Sequence, residues 1–224
     1  MRIITNTAIA LDGRIALEPA EAIAMGSTED RRVMSVLRNQ ADAILVGGNT
    51  FRSTPVPLLP KAEHLHVPLR TDPIWNVVVS RRMDFTLSRR FLGEPRIRPL
   101  FLTSCQTVPA DFPAELVLGP QPLTPQWIVG ELAARNVQTL LIEAGGNLIF
   151  QFLKADLVDD LYVTLCPKLI GRVDAPTLAD GDGFGGDAFK HLKLRDFRVK
   201  KDEVYLHYSP ITDRTAPSSA TETV

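Results

Sequence analysis

Two glycine pairs close apolar, strand-like runs in this chain. Thr139-Leu140-Leu141-Ile142-Glu143-Ala144 runs into Gly145-Gly146-Asn147, and Ala43-Ile44-Leu45-Val46 runs into Gly47-Gly48-Asn49-Thr50. After the first pair, Leu148, Ile149, Phe152 and Leu153 recur at helical spacing. A strand that turns through glycines into a helix can seat a phosphate, because the backbone approaches closely and the first-turn N–H groups have no partner. The same sequence also serves as a plain tight connection. Gly-x-Gly-x-x-Gly is absent, so the corner by itself does not specify a dinucleotide. Two further strand ends join the set: Ser80-Arg81-Arg82, whose arginines suit charge-assisted bonds to phosphate, and Thr103-Ser104.

Other chemistries find little support. There is no Gly-x-Ser-x-Gly elbow. Cys105 and Cys166 lie in apolar runs without an activating partner and are expected as buried free thiols. His64, His66, His191 and His207 lack zinc-ligand spacing. The glycine- and aspartate-rich run from Asp180 to Asp187 invites a calcium-loop reading, but Phe184 takes a ligand position and His191 stands where the bidentate glutamate belongs. No metal is expected. A formal charge of −1 without a basic patch argues against nucleic acid as a partner. The apolar runs are far short of a membrane span and the N-terminus reads as a strand, so a cytoplasmic protein is expected, with no membrane partner.

The elements that must hold these residues follow from periodicity. Strands are expected at Arg2–Ala10, Ala43–Val46, Trp75–Val79, Ile97–Thr103, Glu115–Leu118, Thr139–Ile142 and Asp160–Cys166. Ser27 and Asp30 form a capping-box pattern ahead of a helix over Thr28–Asn39. Thr124-Pro125 opens another helix whose buried face carries Ile128, Val129, Leu132 and Ala133. Arg52–Pro73, with five prolines, is a long irregular connection of the kind that is usually functional. Leu194–Val199 and Val204–Tyr208 read as a closing hairpin, and residues from Thr212 onward as a flexible tail. This order predicts a single α/β domain over 1–211: three layers, with a mostly parallel sheet and antiparallel C-terminal strands. Ligands of such a sheet lie across the carboxyl ends of the strands.

The combination of motifs resembles the pyrimidine reductase domain of riboflavin biosynthesis. The resemblance runs through Leu11-Asp12-Gly13-Arg14-Ile15-Ala16, Leu37-Arg38, Ala41-Asp42-Ala43-Ile44-Leu45-Val46-Gly47 with Thr50, Leu141-Ile142-Glu143-Ala144-Gly145-Gly146, and Leu157–Tyr162 followed by Pro167–Gly171. That domain is related in fold to dihydrofolate reductase. The resemblance implies an NADPH-dependent reduction of 5-amino-6-(5-phosphoribosylamino)uracil to its ribitylamino form, with hydride delivered to the sugar C1, and it implies a homodimer. It assigns Gly47, Gly48, Thr50, Thr103, Gly145, Gly146, Asn147 and Leu148 to the cofactor. Ser80 and Arg81 would take the 2′-phosphate that distinguishes NADPH from NADH. Asp12, Arg14 and Glu143 would be catalytic, and Ser27, Lys61 and Glu143 would face the substrate. The chain opens at the family's first strand, so no deaminase domain is expected ahead of it.

Two departures bear on the substrate. Arginine occupies position 14 where lysine is frequent, and it does not donate a proton at neutral pH. The loop after Thr50 reads Arg52-Ser53-Thr54-Pro55-Val56-Pro57-Leu58-Leu59-Pro60-Lys61, with Lys61 standing in for the family's phosphate-binding arginine. Other readings stay open: a reductase of this fold acting on a dihydropterin, or a nucleotide-binding module without catalysis. A pterin reductase needs a carboxylate on the first helix to grip a 2-amino group. Glu29 and Asp30 lie near that place, with helix capping as their structural reason for being acidic.

Overall fold

The computed structural model describes residues 1–17, 25–185 and 189–211; the expected tail lies outside them. Nine strands form one sheet in the order β5-β4-β3-β2-β6-β1-β7-β9-β8. They are β1 (Arg2–Ala10), β2 (Ala43–Gly47), β3 (Ile74–Ser80), β4 (Ile97–Thr103), β5 (Glu115–Leu118), β6 (Thr139–Ile142), β7 (Asp160–Cys166), β8 (Leu192–Lys200) and β9 (Glu203–Pro210). The first seven are mutually parallel, and β9 runs antiparallel to both β7 and β8. The helices are α1 (Thr28–Gln40), α2 (Gly48–Ser53), α3 (Arg89–Leu92), α4 (Pro125–Ala133) and α5 (Gly146–Lys154), with one 3₁₀ turn at Ala62–His64.

Alternation along the central strands sends apolar side chains to both faces, as a parallel sheet between helical layers requires. Leu45, Val77, Leu100, Leu140 and Ile142 pack with Ile128 and Leu132 of α4 and Ile149 and Phe152 of α5. On the opposite face Ile4, Ile44 and Leu141 meet Leu37 of α1, and Val46, Val78 and Phe101 meet Phe51 of α2 and Phe91 of α3. Phe51 stands edge-on to Phe85, Phe91 and Phe101. This face is therefore an aromatic lock under the second glycine corner.

The sequence reading and the fold differ at a few places. Gly48 does not merely end a strand; it opens the short helix α2. The capping box is altered as well. Ser27 caps α1 by accepting from the Glu29 N–H at 3.1 Å, but its own backbone N–H goes to Glu203 Oε1 at 2.8 Å rather than to Asp30. Of the thiols, Cys166 is buried and Cys105 only half-buried; both are free. Burial pushes the Cys166 thiol up to about 12, which leaves it inert as a nucleophile. The irregular stretch after α2 is strapped down by side chains. Buried Asn76 exchanges two hydrogen bonds with the Leu58 backbone, Arg38 reaches the Leu59 carbonyl, and Asn39 bonds the Arg70 N–H and the Pro68 carbonyl. Apart from the 3₁₀ turn at Ala62–His64, the loop is fixed by side chains that satisfy its backbone groups.

Candidate active site

The strand order makes a crevice. β6 enters the sheet between β2 and β1, so the two glycine corners lie on adjacent strands. The chain leaves them to opposite faces: Phe51 of α2 joins one core layer, while Ile149 and Phe152 of α5 join the other. A switch point of this kind opens a cleft at the carboxyl ends of the two strands.

The two corners are built alike. Gly47 and Gly145 are the N-cap residues of α2 and α5, both extended and both without a side-chain cap. A Cβ on either would meet nothing within 4 Å, so both face open space. Their successors are glycines for packing. A Cβ on Gly48 would lie 2.4 Å from Ser80 Oγ, and one on Gly146 would lie 2.3 Å from the Thr177 carbonyl oxygen. Each pair thus has one glycine that permits close packing and one that leaves a bare cradle before an uncapped helix. Such a cradle suits a pyrophosphate. Asn147 is exposed, its Oδ1 accepting from Gln151 at 2.8 Å, and Leu148 is half-buried against the α5 core layer.

Beside the Gly47 corner, Ser80 and Thr103 end neighbouring strands β3 and β4. Both hydroxyls are engaged locally: Ser80 Oγ donates to the Arg82 carbonyl at 2.7 Å, and Thr103 Oγ1 accepts from the Cys105 N–H at 3.0 Å. Arg52, a residue the sequence did not single out, ties α2 to this end of the sheet. It bonds Asp84, Asn49, Ser80 and the Arg82 carbonyl, and it holds the Asp84 carboxyl below its ordinary range. Arg81 is exposed and makes no ion pair among the described residues. The carbonyl of Thr50 closes α2 by accepting from Ser53 Oγ and the Thr54 N–H.

Asp12 and Arg14 sit at the end of β1 and hold the loop that follows β7. Asp12 Oδ2 accepts from the Gly171 N–H at 2.7 Å and the Ile170 N–H at 3.0 Å, which lower its pKa. The Arg14 guanidinium donates to the carbonyls of Ala175 and Val173, and its backbone bridges to Thr177. That loop brings Thr177 and Asp180 against Gly146. In the run that invited a calcium-loop reading, Asp180 accepts from the Thr177 N–H and hydroxyl, and Asp182 pairs with Lys154 at 2.7 Å.

Glu143 leaves β6 on the α1 face and forms a bidentate pair with Arg38, at 2.8 and 2.6 Å. The two side chains are 12% and 13% exposed. Burial opposes the Arg38 charge, but Glu143 outweighs it and the guanidinium pKa rises. The sequence offered a signal for Arg38 only as part of a motif; its pairing across 105 residues belongs to the fold. Ser27 is taken up by Glu203, whose Oε2 accepts its hydroxyl at 2.5 Å. Lys61 is exposed at the head of the 3₁₀ turn, its backbone N–H on Ser35 Oγ at 3.4 Å. The structure brings the Gly47 and Gly145 corners to the ends of adjacent strands, with Glu143 following β6. It sets Asp12 and Arg14 into a supporting loop contact.

The fold is an α/β fold of the dihydrofolate reductase kind. Dihydrofolate reductase from Enterococcus faecalis superposes with a TM-score of 0.52 at 12% identity, covering 93% of this chain and 96% of that one. The family model of the RibD C-terminal domain matches residues 1–207, and the chain belongs to that family. Acinetobacter baumannii RibD superposes with a TM-score of 0.74 at 20% identity over 94% of this chain, which spans 58% of that longer chain. The 2,5-diamino-6-ribosylamino-4(3H)-pyrimidinone 5′-phosphate reductase of Archaeoglobus fulgidus is 29% identical over 213 residues, 90% of this chain and 92% of its own length.

Proposed function

We propose that this chain is the pyrimidine reductase of riboflavin biosynthesis. It reduces a 5-amino-6-(5-phosphoribosylamino)pyrimidine to the ribitylamino form with NADPH. The observation that carries the reading is the pair of bare glycine cradles on adjacent strands, in a chain of the RibD C-terminal domain family. NADPH, when bound, supplies the hydride. The chain's own part is to bind, orient and exclude water. Gly47, Gly48, Thr50, Gly145, Gly146, Asn147 and Leu148 would hold the pyrophosphate region, with Thr103 closing the neighbouring strand end. Exposed Arg81, beside Ser80, would pair with the 2′-phosphate. Glu143 and Arg38 would bound the substrate side, Lys61 would meet the ribosyl phosphate, and Ser27 would border the base. Asp12 and Arg14 act through the 170–177 loop they hold, shaping the Gly146 corner.

The uracil expected from the sequence and the 2,5-diamino compound in the Archaeoglobus protein's name differ at C2, an oxygen in one and an amino group in the other. The reacting sugar carbon is the same. The test is NADPH absorbance with each phosphoribosyl compound and with dihydrofolate. Oxidation with a phosphoribosyl compound alone is expected, and turnover of dihydrofolate alone would overturn the reading.

A homodimer is part of this proposal. All nine residues of β8 are exposed, and Leu194, Phe197 and Val199 are 45%, 61% and 64% exposed on an edge strand. Exposed apolar side chains on an edge strand invite a partner, here interleaved with Lys193, Arg195, Asp196, Arg198 and Lys200. No helix among the described residues is long and apolar enough to cross a membrane, and a cytoplasmic setting accords with a biosynthetic reductase.

A further inference from the structure

The closing hairpin has a polar face and an apolar one. Residues paired across β8 and β9 share a face, so Asp196 stands beside His207, Arg198 beside Tyr205 and Lys200 beside Glu203. This polar face turns toward α1, where Arg198 and Lys200 bond Glu29 at 2.9 and 2.6 Å. Phe197 pairs with Leu206 and points to the opposite side of the sheet. A dimer made through Phe197 therefore uses the other face and leaves this one uncovered.

Between the polar face and α1 lies a cavity of about 500 Å³, a volume typical of small-molecule sites. It lies over β7, β9 and β8, which β1 separates from β6 and β2 and their glycine corners. Val33 and Val36 of α1 give it an apolar wall. Tyr162 and His207 line it as a stacked pair, with ring centroids 4.3 Å apart and planes 8° from parallel. His64, His66 and Gln40 also line it. His64 bonds Ser35 through Nδ1, and the side chains of His66 and Gln40 make no hydrogen bond among the described residues.

The end of the cavity near the start of α1 is cationic. Arg32, Arg198 and Lys200 converge on the Glu29 carboxylate, at 3.1, 2.9 and 2.6 Å. Each uses one donor there, whereas a guanidinium carries five and an ammonium three. All three side chains are close to half exposed, so their remaining N–H groups can meet a ligand. The Arg198–Tyr205 pair lies two residues along the hairpin from Asp196–His207, about 7 Å. A flat aromatic surface thus stands about one nucleoside length from a group of cations that a single carboxylate does not use up.

We propose that this cavity is a second ligand site, distinct from the crevice, for a flat heteroaromatic ring joined to a phosphate, the chemistry of a nucleoside monophosphate. The ring lies against Tyr162 and His207, and His66 and Gln40 offer hydrogen bonds to its edge. The phosphate takes the unused N–H groups of Arg198, Arg32 and Lys200 in charge-assisted bonds. Glu29 competes with the phosphate for the same cations and so sets the affinity. The site does not depend on which compound the crevice reduces.

The experiment titrates adenosine 5′-monophosphate calorimetrically into protein saturated with NADPH, which keeps the probe out of the cofactor crevice, with adenosine as the uncharged control. One-to-one binding of the monophosphate is expected, at least about tenfold tighter than adenosine, the equivalent of one charge-assisted contact. Replacing Arg198 and Lys200 together by alanine should weaken the monophosphate by about tenfold or more and leave adenosine little changed. Glu29→Gln should tighten the monophosphate by about threefold, because an exposed carboxylate competes only weakly. A gain in affinity is a result that damage to the fold would not produce. No binding to the NADPH-loaded wild type would overturn the proposal, as would affinity that both variants leave unchanged. Displacement of the monophosphate by further NADPH would place it in the crevice and overturn the proposal equally.

Discussion

Removing one partner of the Arg38–Glu143 pair tests how much of the site is structural. The pair is bidentate and its side chains are only 13% and 12% exposed, so neither charge has a solvated fallback. Arg38→Met would leave the Glu143 carboxylate and the Leu59 carbonyl without their donor. Breaking a buried pair from one side costs about 3–5 kcal/mol. At about 2–4 °C per kcal/mol for a domain of this size, the melting temperature should fall by roughly 6–20 °C. Glu143→Gln, which strands the guanidinium charge, should cost about the same. The double variant Arg38→Met with Glu143→Leu replaces the pair by apolar volume and should recover most of the loss. Urea denaturation of wild type, Arg38→Met, Glu143→Leu and the double variant closes the cycle. Strict additivity, with the double variant losing the sum of the singles, would refute the coupling argued from the geometry. The double variant also separates two roles of Glu143: if the carboxylate meets substrate, the refitted protein melts near wild type yet turns over no pyrimidine.

Gly145→Ala should keep the fold and weaken NADPH binding, whereas Gly146→Ala should cost about 1–3 kcal/mol of stability through collision with Thr177; melting curves beside cofactor titrations distinguish them, and the reverse ranking would undo the cradle argument. Arg81→Ala should weaken NADPH more than NADH, with the difference shrinking at high salt, and an equal loss would remove the 2′-phosphate contact. Glu29 is held at about 2 by Lys200, with Arg198 and Arg32 adding to it, against an ordinary 4.5. A depressed carboxyl stabilises fully above its ordinary value and loses that contribution as pH falls through about 2. Glu29→Gln should therefore flatten the melting temperature against pH between 5 and 2, and an unchanged slope would contradict the pairing. Phe197→Asp should turn a sedimenting dimer into a monomer, and a dimer that persists would place the interface elsewhere.

Local chemistry settled much of this protein before any contact was known. The two apolar runs that end in glycine pairs, the Thr124-Pro125 helix start and the closing hairpin each depend on neighbours in sequence, through periodicity, caps and turns. The α/β class follows from their order. The side-by-side placement of the two glycine corners does not, since β6 enters between β2 and β1 only through pairing across 97 residues, Ala43 with Leu140 and Leu45 with Ile142.

The polar partners are also tertiary. Glu143 reads locally as a polar residue closing a strand, and Arg38 is the residue that buries and neutralises it. Asp30 reads locally as half of a capping box, until Glu203, 176 residues beyond Ser27, takes the cap and frees it. Sequence determined which segments become strands and helices, because those choices are made by short-range hydrogen bonding and apolar spacing. Only the tertiary structure decided which charges are spent on one another and which face the crevice, because that depends on groups brought within 3 Å from distant parts of the chain.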